Sequence, residues 1–204
     1  MNRVIDLYAG SLVVTEAVAS EVRRFVNGLG QRSVTENHLL RLGATTAAQK
    51  LDNHEIRVLP LSPTEEAINE LDRILRQLKE FEVAQNVKFH RSSDEVGSAL
   101  KHTGEAHSIV NALRTRAHGR ETILLTNDGG AIAIARQNGI AWKHVGQLLV
   151  ELTCEDSQLN ADRMYQDFLS ITATFASVPT AHRPAGASDF VCAKGLDGSC
   201  TECA

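Results

Sequence analysis

"LLTNDGGAIAIARQNG", running from Leu124 to Gly139, decides how this chain is read. With the residues just before it, "ETILLTND", it forms a continuous apolar run, the pattern of a strand buried on both faces of a parallel sheet. That run stops at Thr126, Asn127 and Asp128. The small apolar residues of "AIAIARQNG" then predict a helix, and Asn138-Gly139 is a suitable helix stop. A carboxylate placed after a buried parallel strand sits where the ligands of α/β sheets gather, beyond the carboxyl ends of the strands.

Working outward, the same alternation recurs. "SLVVTEAVASEVRRFV" starts with a β-prone run, Leu12 to Val14. Thr15 then stands as a helix cap, Glu16 falls in the first turn, and Ala17, Val18, Val22 and Phe25 keep helical spacing. Ile56 to Leu61 is a second β-prone run. "SPTEEAINELDRILRQLKEF" predicts an amphipathic helix capped by Ser62, with Pro63 in the first turn, Glu65 as capping-box acid, and an apolar face of Ile68, Leu71, Ile74, Leu75 and Leu78. "EVAQNVKFHRSSDEVGSALKH" is polar and irregular and predicts a loop. "TGEAHSIVNALRTRAHG" returns to helix, with Thr103 as candidate cap, Glu105 in the first turn, and Ala106, Ile109, Val110 and Leu113 inward. After "IAW", a last short strand, two more helices are expected near "VGQLLVEL" and "NADRMYQDFLSITATFA". The order predicts a three-layer α/β sandwich with a mostly parallel central sheet over residues 1–177, with an insertion near 81–100. Residues 178–204 read as a mobile Pro-, Gly- and Ala-rich tail.

The totals narrow the function classes. The chain has 204 residues, a formal charge of −4 and a pI near 6.1, which argues against a strongly basic nucleic-acid-binding surface. Aromatic residues make up 4%, too few for a base-stacking platform. The first residues carry neither a long apolar core nor a small-residue cleavage site, and no apolar stretch approaches membrane-spanning length, so a cytoplasmic protein is expected. Three of the four cysteines, Cys192, Cys200 and Cys203, crowd the last residues, which does not suggest a disulfide framework for the whole domain. With His182 they form a loosely spaced zinc set. Exposed thiols are the simpler expectation, and on it the domain should fold without the tail. No "GxxxxGK[ST]", "GxSxG" or "HExxH" occurs.

Three acids then stand out by position. Asp128 ends a strand, Glu105 opens a helix, and Glu21 lies on the helix that directly follows another strand. Clustered carboxylates repel unless protons or a cation neutralise them, and Mg²⁺ or Mn²⁺ accepts such oxygen ligands. Each acid also has a plainer role: Glu21 as a solvated helix residue, Glu105 as a partner of the helix dipole, Asp128 as a helix cap. His107 and His118 read as surface residues.

"LYAGSLVVTEAVASEV", "TGEAHSIVNAL", "ILLTNDGGAIAIARQNGI" and "KHVGQLLVEL", in that order, resemble the PIN-domain family over roughly Leu7 to Leu152. The resemblance implies a metal-dependent ribonuclease fold. It implies catalytic and metal-binding roles for Glu21, Glu105 and Asp128, and places Thr126 and Asn127 along the site. Many small bacterial members are the toxin half of a toxin–antitoxin pair, so the implied partners are RNA and an antitoxin protein; a second copy of the chain is also a candidate. The family's first acid ends a central first strand that precedes the "SLVV"-like one. Here Asp6, after Val4-Ile5, is the candidate for that acid; otherwise the strand and its acid are lacking. That departure motivates a rival expectation, a catalytically silent module that binds RNA or a protein. A Rossmann-like nucleotide binder is weaker, because no glycine-rich phosphate loop follows a first strand.

Overall fold

A computed structural model describes residue 8 and residues 10–27, 34–89, 101–156, 159–174 and 178–191; for residues 34–40 only the backbone is described. Asp6, Cys192, Cys200 and Cys203 lie outside these residues. The described elements are β1 (Val13–Thr15), α1 (Glu16–Asn27), α2 (Val34–Asp52), β2 (Arg57–Leu59), α3 (Glu65–Lys88), α4 (Thr103–Ala117), β3 (Ile123–Leu125), α5 (Gly129–Gln137), β4 (Ala141–Lys143), α6 (Val145–Glu155) and α7 (Ala161–Thr174). Two 3-10 turns follow, Thr180–His182 and Ala187–Phe190. No described helix is long and apolar enough to cross a membrane.

The chain is mixed α/β with parallel pairing, as the alternation of strands and helices predicts. β1 runs parallel to β2, Val14 opposite Val58, and β3 runs parallel to β4, Leu124 opposite Trp142. Among the described residues these are two separate two-stranded sheets, not one central sheet. Between them, the β1 and β3 edges border a common cleft instead of sharing a ladder.

Helix faces divide the interior into three clusters. α3, α4 and α5 pack Ile74, Leu78, Ile109, Val110 and Ile134 around Leu124 and Ile140. Each fully buried aliphatic side chain contributes about 1.5–3 kcal/mol relative to exposure. Leu71, Leu75 and Leu113 pack against this cluster as their spacing predicts, but Ile68 faces solvent. Ala19, Leu51 and Ile56 hold α1 and α2 against the first sheet, while Phe25 at the end of α1 is exposed.

Three expectations need correction. α3 is capped by Thr64, whose hydroxyl accepts from the Ala67 N–H at 3.3 Å, and not by Ser62. A residue before proline is biased to extended backbone, so Ser62 and Pro63 lead into the helix without starting it. α3 also continues through Lys88, into the stretch expected to be irregular. Val83 and Val87 there are exposed, so this extension has no continuous buried face to betray it and rests on helix-favouring Glu, Ala, Gln and Lys. Finally, residues 178–191 are part of the packed body. Val178 and Phe190 are fully buried, and the Phe190 ring stands 5.9 Å from both Phe168 and Tyr165 of α7. These residues close the third cluster, with Leu149 and Val150 of α6 and Met164 of α7.

One buried polar network ties α6 to the second sheet. Lys143, at the end of β4, pairs with Glu151 of α6, both nearly inaccessible to solvent. The Tyr8 hydroxyl donates to Glu151, and the Lys143 ammonium donates to the Tyr8 oxygen at 3.2 Å. Cys154, near the end of α6, is disulfide-bonded.

Candidate functional site

Glu21 reaches its place because β1 turns directly into α1. Thr15 is buried at that junction, and its hydroxyl accepts from the Val18 N–H at 3.4 Å, the cap its position predicts. With the helix start so set, Val18 and Glu21 fall three residues apart on one helix face. Both line a small pocket of about 150 Å³, together with Gly104, Glu105 and Ser108 of α4 and Thr126 just past β3.

The start of α4 explains why Glu21 is held there. Thr103, expected as the cap, is the first helical residue. The cap position belongs to His102, whose backbone is left-handed (φ 67°) and whose side chain makes no capping bond. Helix starts leave several N–H groups without an intrahelical acceptor. Here the Glu21 carboxylate of α1 lies against Gly104 at the start of α4, and the Gly104 N–H favours its charged form. A Cβ at position 104 would lie 3.0 Å from both Glu21 oxygens, so glycine permits this approach. Burial, and then the neighbouring Glu105 carboxylate, push the Glu21 carboxyl above its usual range; Arg24 and the Gly104 N–H oppose them without prevailing.

Of the five residues singled out from sequence, the structure brings Glu21, Glu105 and Thr126 to one pocket. Asp128 caps α5, its Oδ1 accepting from the Ala131 N–H at 2.7 Å. It lines a different cleft, of about 490 Å³, with Glu82, Lys101, His102, Arg136 and His182. Thr126 links the two sites, because its hydroxyl accepts from the Asp128 N–H at 3.1 Å. Asn127 braces the second sheet against α6, its side-chain oxygen accepting from the Val145 N–H at 2.9 Å. His182, expected with the tail cysteines, stands edge-on to Trp142 at 4.9 Å.

Among the described residues, no three His, Cys, Asp or Glu side chains are grouped so as to hold a metal ion. A pair of carboxylates does exist, and Mg²⁺ commonly takes one or two protein carboxylates and completes its shell with water and phosphate oxygens. The Glu105 carboxylate raises that of Glu21, and a cation bound beside them would offset the repulsion.

Sequence reasoning passed over Gly104, although an isolated glycine in the first turn of a helix is a signal of close approach. It also passed over the pairing of Glu82 with Lys101 and His102. Burial would raise the Glu82 carboxyl, but hydrogen bonds from both partners outweigh it and hold it below the usual range. His107 is partly buried, which lowers its basicity against the pull of Glu16, and its Nδ1 has no partner among the described residues. Comparison of the chain with known protein families, curated proteins and solved structures finds no match.

Proposed function

We propose that the chain is a PIN-like ribonuclease that depends on Mg²⁺ or Mn²⁺, its two half-sheets belonging to a three-layer sandwich of that family. The observation that carries this reading is the Glu21–Glu105 pair, two carboxylates that line one pocket with Thr126, the charge of one raising the carboxyl of the other. Glu21 and Glu105 hold the ion, and Thr126 lies at its side. A cation bound there supplies activation of water and neutralisation of phosphate charge. The chain's own groups support it: Gly104 leaves room for the Glu21 carboxylate beside α4, and Arg24, whose charge acts on Glu21, is available to a phosphate of the RNA backbone. Asp128 contributes through Thr126 and through the start of α5, and not as a direct ligand. In this reading the protein works on RNA in the cytoplasm, and an antitoxin protein covers the pocket.

A second reading, a catalytically silent module that binds RNA or a protein, is favoured by the placement of Asp128 away from the acid pair. One experiment separates the two. The purified protein is titrated with Mn²⁺ and incubated with a mixed RNA pool, beside Glu21→Gln, Glu105→Gln and an EDTA control. Cleavage that disappears in all three controls supports the nuclease. Mn²⁺ binding without cleavage supports the silent module, and absence of both sinks the metal site.

A further inference from the structure

We propose that the disulfide bond of Cys154 is a redox latch, joined to Cys192, that fastens the strap of residues 178–191 against α5 and α6. The proposal is independent of the nuclease reading. The chain has four cysteines, Cys154, Cys192, Cys200 and Cys203, and Cys154 is disulfide-bonded. A bond within the chain therefore reaches one of the last three. The strap decides which. The Thr153 hydroxyl is shared between the carbonyls of Val150, at 2.6 Å, and Phe190, at 3.0 Å. The residue before Cys154 thus touches the residue two before Cys192. Bonded cysteines need Cα atoms about 4.4–6.8 Å apart, and two residues span up to about 7 Å, so Cys192 is the first thiol within reach. Cys200 and Cys203 follow only eight and eleven residues later.

The strap's own contacts leave a place for such a fastening. Two buried side chains, Val178 and Phe190, hold its ends in the cluster shared with α6 and α7. Between them its polar groups serve each other. The Arg183 Nε–H donates to the Val178 carbonyl at 2.7 Å, and the Asp189 carboxylate accepts from the Ala185 N–H at 2.6 Å. Its outer contacts lie over the start of α5 and over β4. A Cβ on Gly129 would stand 3.2 Å from the Pro179 ring, and the His182 ring stands edge-on to Trp142. Pro179 and His182 both line the cleft that holds Asp128. Fastened, the strap forms part of the wall of that cleft; released, it uncovers the first turn of α5.

Cys154 is partly exposed, so a small dithiol can reach it. A thiolate of the dithiol attacks one sulfur of the bond and forms a mixed disulfide, and the other sulfur leaves as a thiolate. The second thiol of the reagent then displaces the first chain sulfur. The products are two chain thiols and the cyclic disulfide of the reagent, which has given up two electrons and two protons. Phe190 and its hydrogen bond are then left to hold that end of the strap. Disulfides that open in this way act as switches in reducing compartments, where structural ones are rare.

The test uses the full chain, purified without reductant and with free thiols blocked before digestion. Tryptic cleavage after Arg163 and Lys194 puts Cys154, Cys192 and the Cys200 and Cys203 pair on three separate peptides. Mass spectrometry should find the Cys154 peptide joined to the Cys192 peptide. Dithiothreitol added to unblocked protein should speed amide exchange over residues 180–190 by about tenfold or more, because the cross-link no longer restrains the released strap. It should also shift the emission of Trp142, the chain's one tryptophan. The amides of Val110 and Leu124 should keep their protection. Cys154→Ser and Cys192→Ser should match the reduced protein without reagent, and Cys200→Ser the oxidised one. A free Cys154 thiol, its pairing with Cys200 or Cys203, unchanged exchange over 180–190 on reduction, or equal loss of protection at Val110 and Leu124 overturns the proposal.

Discussion

The carboxylate of Glu21 lies against the first turn of a helix to which it does not belong, so close to Gly104 that a Cβ there would stand 3.0 Å from both of its oxygens. Glycine-to-alanine changes inside helices ordinarily stabilise by about 0.8–1 kcal/mol. Gly104→Ala should lose most of that gain, because Glu21 must move by a few tenths of an ångström. In a Glu21→Ala background the gain should return. Urea denaturation of the four proteins gives the coupling, expected at about 0.5–1 kcal/mol; strict additivity would show that the contact has no energetic weight.

The raised carboxyl of Glu21 sets a pH dependence. A carboxyl whose folded pKa lies above its unfolded one favours folding in its protonated form. Its contribution is complete below the ordinary glutamate value of 4.5 and disappears as pH rises through the higher folded value. At neutral pH in EDTA, Glu21→Gln should therefore melt above the wild type, by no more than the 2–4 °C that about 1 kcal/mol represents in a chain of this size. The difference should shrink as the pH is lowered toward 4.5. Added Mn²⁺ should raise the melting temperature of the wild type alone.

Asp128 separates capping from metal binding. Asp128→Asn keeps a good cap and should change stability little, whereas Asp128→Ala should cost about 1 kcal/mol, the usual loss at an N-cap. Both variants should retain the Mn²⁺ affinity of the wild type within a few fold. Loss of Mn²⁺ binding in Asp128→Asn, with stability unchanged, would make Asp128 a ligand after all.

Much of this arrangement is legible in the sequence where local rules act alone. The junction at Thr15, the β3–α5 segment and the stop at Asn138 and Gly139 follow from cap chemistry and apolar period. The positions of Glu21 after a strand and of Glu105 at a helix start are legible too, and both residues line one pocket. That the described strands pair as two small sheets was not readable, because pairing of distant strands is a tertiary choice that no local pattern encodes. Nor was the place of Asp128. A strand-end aspartate can cap or ligate with the same sequence around it, and only the direction of its side chain decides. Phe190 was hidden by composition, since a single aromatic residue among Pro, Gly and Ala carries no period.

The buried pair of Lys143 and Glu151 gives a sharper stability test. Lys143→Met or Glu151→Leu leaves its partner uncompensated beneath α6, and each should cost about 3–5 kcal/mol. Replacing both, Lys143→Met with Glu151→Leu, should recover most of the loss. Chemical denaturation of the two single variants and the double variant checks this. A double variant as unstable as the sum of the singles would contradict it.

The two small sheets also differ in how far along the chain their partners lie. Ile123 meets Ala141 across the single helix α5, whereas Val13 meets Arg57 across α1 and α2, closing a loop more than twice as long. Each doubling of a loop adds about 0.6 kcal/mol of closure entropy, and pairings distant in sequence form late. On that ground the β3–α5–β4 unit is expected to close ahead of the β1–β2 pair, and pulse-labelled amide exchange that protects Leu124 before Val14 would show it.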